Sequence, residues 1–190
     1  MRQVFRTLGV FVLLGVTAIA ASASAPPASA VEAQRDGQHD LDFNIGSWKA
    51  HLKVLRAPST GPDTWIELHG TAVVRKVWNG RAQLEEVEAD GATGHFEALV
   101  LLLYDPQARQ WSKSFANSSD GQLNPPMFGE FQNGRGEFFN QEPYHGKVAL
   151  IRAVWSDITA SSQHFEESFS YDGGRDWHPY FIATFIREAP

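Results

Sequence analysis

The chain has no cysteine among its 190 residues. Disulfide staples, thiolate metal ligation and thiol nucleophiles are thereby excluded, and the fold must be held by packing alone. It also has no block of lysine or arginine. Of its 16 basic residues, Arg2 and Arg6 lie in the first thirty positions, which leaves 14 against 22 acidic ones, a net charge of −8. A phosphate backbone is repelled by that balance, so no nucleic-acid partner is expected, and anionic membrane surfaces are disfavoured by the same sign.

Motifs for several chemistries are missing as well. There is no Gly-x-Ser-x-Gly elbow and no phosphate-binding glycine loop ahead of a helix. Seven histidines are present: His39, His51, His69, His95, His145, His164 and His178. None stands in His-x-His or His-Glu-x-x-His spacing, so no metal is expected. Haem ligation through a single histidine would fall to His178. No Gly-x-Trp-x-Gly-x-Gly run accompanies Trp48, however, and no cofactor is predicted.

The long apolar run, Leu8 to about Ala21, is too short for a comfortable membrane span, which needs ~20 residues. It follows a basic start and precedes the small-residue sites Ala21-Ser22-Ala23, Ala23-Ser24-Ala25 and Ala28-Ser29-Ala30. That pattern reads as a secretory signal peptide over residues 1–30. A flexible leader over 31–40 and a barrel domain over 41–190 are expected to follow. The product is predicted to be periplasmic or secreted, with no stable membrane anchoring after cleavage. Removing thirty residues from 190 leaves 160, enough for one domain with a substantial core. Thirteen Phe and six Trp supply it.

Strand and turn signals alternate through this region without a long helix. Strands are predicted at Trp48–Leu55, Thr64–Trp78, Gln83–Ala89, Phe96–Tyr104, Gln110–Ala116, Pro125–Gln132, Gly136–Asn140, Lys147–Trp155, His164–Tyr171 and Trp177–Arg187. Gly70 is a plausible kink in the second, Asn79-Gly80 reads as a two-residue hairpin turn, and Asn133-Gly134-Arg135-Gly136 marks another tight turn. Links this short require antiparallel pairing. The expected fold is all-β: a single antiparallel up-and-down barrel of about ten strands, with a short N-terminal helical turn. Closure removes the free edges; a two-sheet sandwich is the alternative.

Two segments bracket this meander. Ser170-x-Asp172-x-Gly174-x-x-Trp177 resembles the Asp-box hairpin, whose serine and aspartate accept backbone N–H groups that the turn leaves over. Gly46-Ser47-Trp48 resembles the Gly-x-Trp of lipocalins and other calycins, where the tryptophan packs across the barrel's closed end. Between them stand Pro125-Pro126…Gly129-Glu130-Phe131, Gly134-Arg135-Gly136-Glu137-Phe138 and Arg152-Ala153-Val154-Trp155-Ser156-Asp157-Ile158. In this order the set is similar to an exported member of a bacterial calycin-like family. The resemblance implies a lipocalin-type barrel with an internal pocket and implies no activity.

Candidate pocket residues come from strand alternation. Val148-Leu150-Arg152-Val154 is an aliphatic face broken by Arg152, and Phe165-Glu167-Phe169-Tyr171 an aromatic face broken by Glu167. A buried charge needs a partner, so Arg152 is expected to pair with Glu167 or Glu166, and Glu86 with Glu88 could add acidity from the Leu84 face. One reading is a polar anchor in a mostly apolar pocket; the other is a structural ion pair, or an exposed Arg152. Trp48, Glu86, Arg152, Glu167, Phe169 and Tyr180 are the candidate ligand-binding residues. The expected function is binding of a small apolar or amphipathic molecule in the barrel. The alternatives are a cofactor-free isomerase or cyclase using an Arg/Glu pair with Tyr180, and a solid-barrel interaction module. A homodimer is compatible with the sequence.

Overall fold

Alternation of side chains across each strand decides what faces inward. In the first strand Trp48, Ala50 and Leu52 are buried while Ser47 and Lys49 are exposed or half-exposed, and in the third Val87 and Ala89 are buried between exposed Glu86, Glu88 and Asp90. Such period-two segments pair into a sheet with one apolar face. The computed structural model describes residues 36–56, 64–92 and 94–189. The predicted signal peptide therefore lies outside the described residues, as does the first half of the predicted leader, residues 31–35.

Ten strands follow in order: β1 (Gly46–Arg56), β2 (Thr64–Val77), β3 (Ala82–Gly91), β4 (Gly94–Asp105), β5 (Gln110–Asn117), β6 (Met127–Gln132), β7 (Arg135–Tyr144), β8 (Lys147–Ser156), β9 (Ser162–Ser170) and β10 (His178–Arg187). Each pairs antiparallel with its neighbours, and β1 pairs with both β2 and β10, so the sheet closes on itself. This is the expected up-and-down barrel, and closure leaves no sandwich.

Three local readings are amended. Asn79-Gly80 is not a two-residue turn: Val77 pairs with Ala82, so the loop is Trp78–Arg81, with Trp78, Asn79 and Gly80 all at positive φ. Second, β7 runs on to Tyr144 rather than ending at Asn140, through Pro143. A proline is tolerated there because β6 has already ended; its last partner on β7 is Phe139. Third, β2 passes Gly70 without a break in register. A Cβ at Gly70 would stand 1.9 Å from the Glu88 carbonyl oxygen, so the glycine admits a close approach of β2 to β3.

One end of the barrel is plugged. A 3-10 turn, Asp42–Asn44, carries Leu41 and Asn44 into it above buried Trp48, Trp111, Phe131, Phe138 and Trp155. Asp36 and Gly37, within the segment expected to be a flexible leader, are tied to this end. Tyr104 Oη donates to Asp36 Oδ1 (2.5 Å), and Trp111 Nε1 donates to the Gly37 carbonyl (2.9 Å). Burial and the Asp36 carboxylate push the Tyr104 phenol up to about 12. The strands run from this plug toward an opposite mouth formed by the turns after β3, β5, β7 and β9.

The wall is uneven. β5 and β6 share three residue pairs, Trp111↔Gly129 to Lys113↔Met127. Nearer the mouth, residues 118–126 replace the ladder, held by Asn124 N–H donating to the Phe115 carbonyl (2.8 Å).

Candidate ligand-binding interior

The plug is built on Trp48 and Arg187. Gly46, at φ +131°, turns the chain into β1, and a Cβ there would lie 2.6 Å from Arg187 Nη1. Trp48 is fully buried and donates through Nε1 to the Asn44 carbonyl (2.8 Å). The Arg187 guanidinium lies over its ring at 4.0 Å and donates to the carbonyls of Ile45 (2.8 Å), Phe43 (2.6 Å) and Ala160 (2.8 Å). Inside, Gln163 Nε2 donates to Asn44 Oδ1 (2.8 Å), and Asn44 Nδ2 lies 3.4 Å from Glu85 Oε2. These contacts join the loop, β1, β3, β9 and β10.

Between plug and mouth the barrel is not filled. Inner-face positions of β1, β2, β3, β4 and β10 include Ala50, Ala72, Ala89, Ala98 and Ala183. Small side chains on the wall of a ten-strand barrel leave space in its middle. Of these alanines Ala98 borders a cavity of about 420 Å³, lined also by Leu52, Leu68, Val100, Phe115, Tyr144 and Phe181 among other apolar groups, with Trp155 and Phe165 on its wall. His95 stands at its mouth, hydrogen-bonded to Asp90 (2.8 Å), an interaction that raises the imidazole pKa.

Polar groups gather on one side. Lys113, on β5, is 4% exposed and its Nζ lies 2.5 Å from Glu167 Oε1 on β9. Tyr180, on β10, donates through Oη to Glu167 Oε2 (3.0 Å). The Lys113 ammonium also sits 5.3 Å from the Phe165 ring centroid and 5.7 Å from that of Phe115. Burial, reinforced by the Glu167 charge, raises the Tyr180 phenol far out of the physiological range. On β7, Glu142 receives a long contact from Asn140 Nδ2 (3.5 Å), while Asn140 Oδ1 is buried with no partner. Burial pushes the Glu142 carboxyl up, Asn140 opposes it, and the Glu167 charge adds to the rise. Glu85, buried on β3, is also raised, by burial first, with Asn44 and Lys113 opposing. This group stands where the β5–β6 ladder gives out, so Lys113, Asn124, Asn140, Glu142, Glu167 and Tyr180 share a recess beside the main cavity.

The sequence-predicted residues divide between inside and outside. Glu167 and Tyr180 face the cavity together. Phe169 points inward near the mouth, its ring 4.6 Å from Tyr144 and 6.3 Å from Tyr180, and packs on these lining residues without lining the cavity itself. Trp48 belongs to the plug and does not line the cavity. Glu86 is on the outer face, ion-paired with Arg75 and beside a shallow external groove. Arg152 is outside too. It lies opposite Phe139 and Ser168 in the sheet and under Trp177 of the terminal hairpin, its guanidinium 4.3 Å from that ring. The expected Arg152–Glu167 pair is not formed; Lys113 takes that place.

Both faces of β8 are apolar, which is why alternation misassigned Arg152. Ala149, Ile151, Ala153 and Trp155 face inward, while Val154, on the Arg152 side, is buried on the outer surface. Trp177 supplies part of that outer cover. Sequence reasoning also missed Lys113, Glu85 and Glu142. The signal for Lys113 was present: Trp111-Ser112-Lys113-Ser114-Phe115 is an aromatic face broken by one charge, the same pattern as Phe165-Glu167-Phe169.

The Asp-box hairpin is structural. Ser170 Oγ donates to Asp172 Oδ1 (2.7 Å) and accepts from Gly174 N–H (2.9 Å), and Asp172 Oδ1 accepts from Arg175 and Asp176 N–H. The Ser170 contact and these backbone donors lower the Asp172 carboxyl pKa.

A cross-strand cluster that no linear spacing reveals lies on the outer face of β1 and β2. His51 and His69 are register partners with stacked rings 4.4 Å apart, and Glu67 Oε2 lies 3.3 Å from His51 Nε2. Their ligand atoms lie within 4.8 Å of one another, so these three residues could hold a metal ion. Lys53 also holds Glu67, at 3.3 Å.

No protein-family model and no curated protein matches the chain. Solved structures do share its fold. The S-type phycobiliprotein lyase CPES from Guillardia theta aligns with TM-score 0.54 at 9% identity, covering 83% of this chain and 95% of that one. Rv2717c from M. tuberculosis aligns with TM-score 0.56 at 13% identity, covering 80% and 98%. At such identities the likeness carries the fold alone. The fold is a calycin-like barrel.

Proposed function

We propose that this protein is an exported carrier or receptor that binds one small apolar or amphipathic molecule inside its barrel. The cavity of about 420 Å³ carries the reading. It has the size range of small-molecule sites, an apolar wall and a few convergent polar groups. A solid-barrel interaction module does not fit such an interior. The enzymatic alternative would now rest on Lys113, Glu167 and Tyr180 in place of an arginine pair. The lyase that shares the fold is an enzyme by name, and the likeness extends no activity to this chain.

Binding is tested by native mass spectrometry of protein purified from the periplasm of its own cells, together with titration of an apolar fluorescent dye. One ligand or dye per chain is expected. Ala98 is 6% exposed and lines the cavity, so Ala98→Trp should fill the space and weaken dye binding by at least roughly tenfold. Undiminished binding to a folded Ala98→Trp variant would place the dye elsewhere and defeat the reading. Export is tested separately, by locating the mature chain in the periplasmic fraction.

A further inference from the structure

The polar groups on the cavity wall are unbalanced, and the imbalance specifies a ligand. Glu85, Glu142 and Glu167 are carboxyl groups lining the space, and Asn140 Oδ1 adds an unpartnered acceptor in the adjoining recess. Among the described residues Lys113 is the one lysine or arginine on the wall. Its charge is already met by Glu167 at 2.5 Å, and Glu167 is further engaged by the Tyr180 hydroxyl. Three carboxyl groups therefore face one lysine on this wall, and His95 at the mouth is already hydrogen-bonded to Asp90.

We propose that the ligand is an organic cation, an apolar body bearing a protonated amine or similar N–H-donating head that seats against Glu142, Glu167 and Asn140. The proposal rests on the interior-binding reading and specifies its ligand class. An anionic head would meet three carboxyl groups. It would have to share the Lys113 ammonium with Glu167, whose carboxylate already lies 2.5 Å from it, and so place a second negative charge beside the first. A cationic head meets the opposite situation: among the described residues Glu142 forms no ion pair, since the nearby Lys113 is bonded to Glu167, its side-chain contact with Asn140 is long, and Asn140 Oδ1 beside it is an unpartnered acceptor. The rings of Phe96, Phe115, Tyr144 and Tyr180 line the same space, and an aromatic face attracts a cation and repels an anion. An uncharged head would fill the space and forgo these contacts.

The discriminating experiment holds the apolar body constant and changes the head. Decylamine, decanol and decanoate, each below its micellar concentration, compete with the bound dye at pH 7 on the purified protein. Decylamine should bind roughly tenfold more tightly than decanol, the scale of one cation–π or partly screened ionic contact, with decanoate weakest. In Glu142→Gln the decanol affinity should hold while the amine-to-alcohol ratio falls severalfold. Decanol binding with no gain for the amine, or decanoate binding as well as the amine, overturns the charge assignment and leaves interior binding standing. An unchanged ratio in Glu142→Gln overturns the assignment of the head to that wall. Failure of all three to displace a dye that Ala98→Trp excludes would defeat the cation assignment outright. If Ala98→Trp still binds the dye, the interior reading falls and this inference falls with it.

Discussion

At the scale of single residues, the side chain that most changes the sequence reading is Lys113. Arg152 and Lys113 each interrupt an apolar strand face, and the rule that a buried charge needs a partner applies to both. The barrel turns one inward, onto Glu167, and the other outward, beneath Trp177. Arg152 thus acts as the base on which the terminal hairpin's tryptophan stacks. Arg152→Ala should leave ligand or dye affinity within roughly twofold of the wild type, because its guanidinium lies on the far side of the wall. It should also lower stability by ~1 kcal/mol through the lost cation–π contact and stem packing. Parallel dye titration and urea denaturation check this, and a large loss of affinity with stability preserved would contradict the placement. What was legible at this scale was that charges interrupt apolar faces. Which face lies inside was not legible for β8, since a strand apolar on both faces has no phase to read.

At the scale of elements, the strands were largely readable because their alternation and their turn residues agree. Of the tight turn expected over Asn133-Gly134-Arg135-Gly136, Asn133 and Gly134 form it, with Gln132 and Arg135 paired across them, while Arg135 and Gly136 already belong to β7. The Trp78–Arg81 loop departs because Trp78 also takes positive φ and the turn lengthens into a 3-10 loop. Another joint, the plug, depends on contacts between distant elements. Arg187 at the end of β10 ties the carbonyls of Phe43, Ile45 and Ala160 and covers Trp48 at the start of β1. Arg187→Ala should leave three carbonyls without their charged donor and expose one face of the indole. A loss of ~2–4 kcal/mol is expected in chemical denaturation. Near-UV circular dichroism of the tryptophans should change with it. A variant as stable as the wild type would mean the arginine does not hold the plug. The Gly-x-Trp resemblance pointed to the closed end; nothing in the tripeptide pointed to Arg187, which comes 141 positions after Gly46 and meets it through the β1–β10 pairing.

At the scale of the whole molecule, closure and the filling of the interior govern stability and its dependence on pH. Glu85 is buried on the inner face, and its carboxyl pKa is raised above the ordinary value of 4.5, chiefly by burial. The folded state therefore holds this proton more tightly than the unfolded chain does. The folded state's advantage from it is present below the unfolded pKa and is lost as pH rises through the folded one. Glu85→Gln, which never ionises, should accordingly be the more stable protein at neutral pH, by ~1–2 kcal/mol. The difference should shrink as pH is lowered toward 4.5 and below. Urea denaturation at a series of pH values checks this, and a variant less stable at neutral pH would show that the ionised carboxylate is held favourably. The cavity belongs to the same scale. It is bounded by side chains from nine of the ten strands, a convergence no single strand displays.

The sequence by itself determined the strand succession and the antiparallel order, because these are written in local alternation and short turns. It also supplied the two bracketing motifs, each a local arrangement of backbone and side chain. Tertiary structure decided which charges face each other. Lys113, Glu142, Glu167 and Tyr180 come from four strands, and their convergence depends on closure and on the ladder ending early between β5 and β6. Alternation gives each side chain one of two faces; only the closed barrel says which face is the interior and who stands across it.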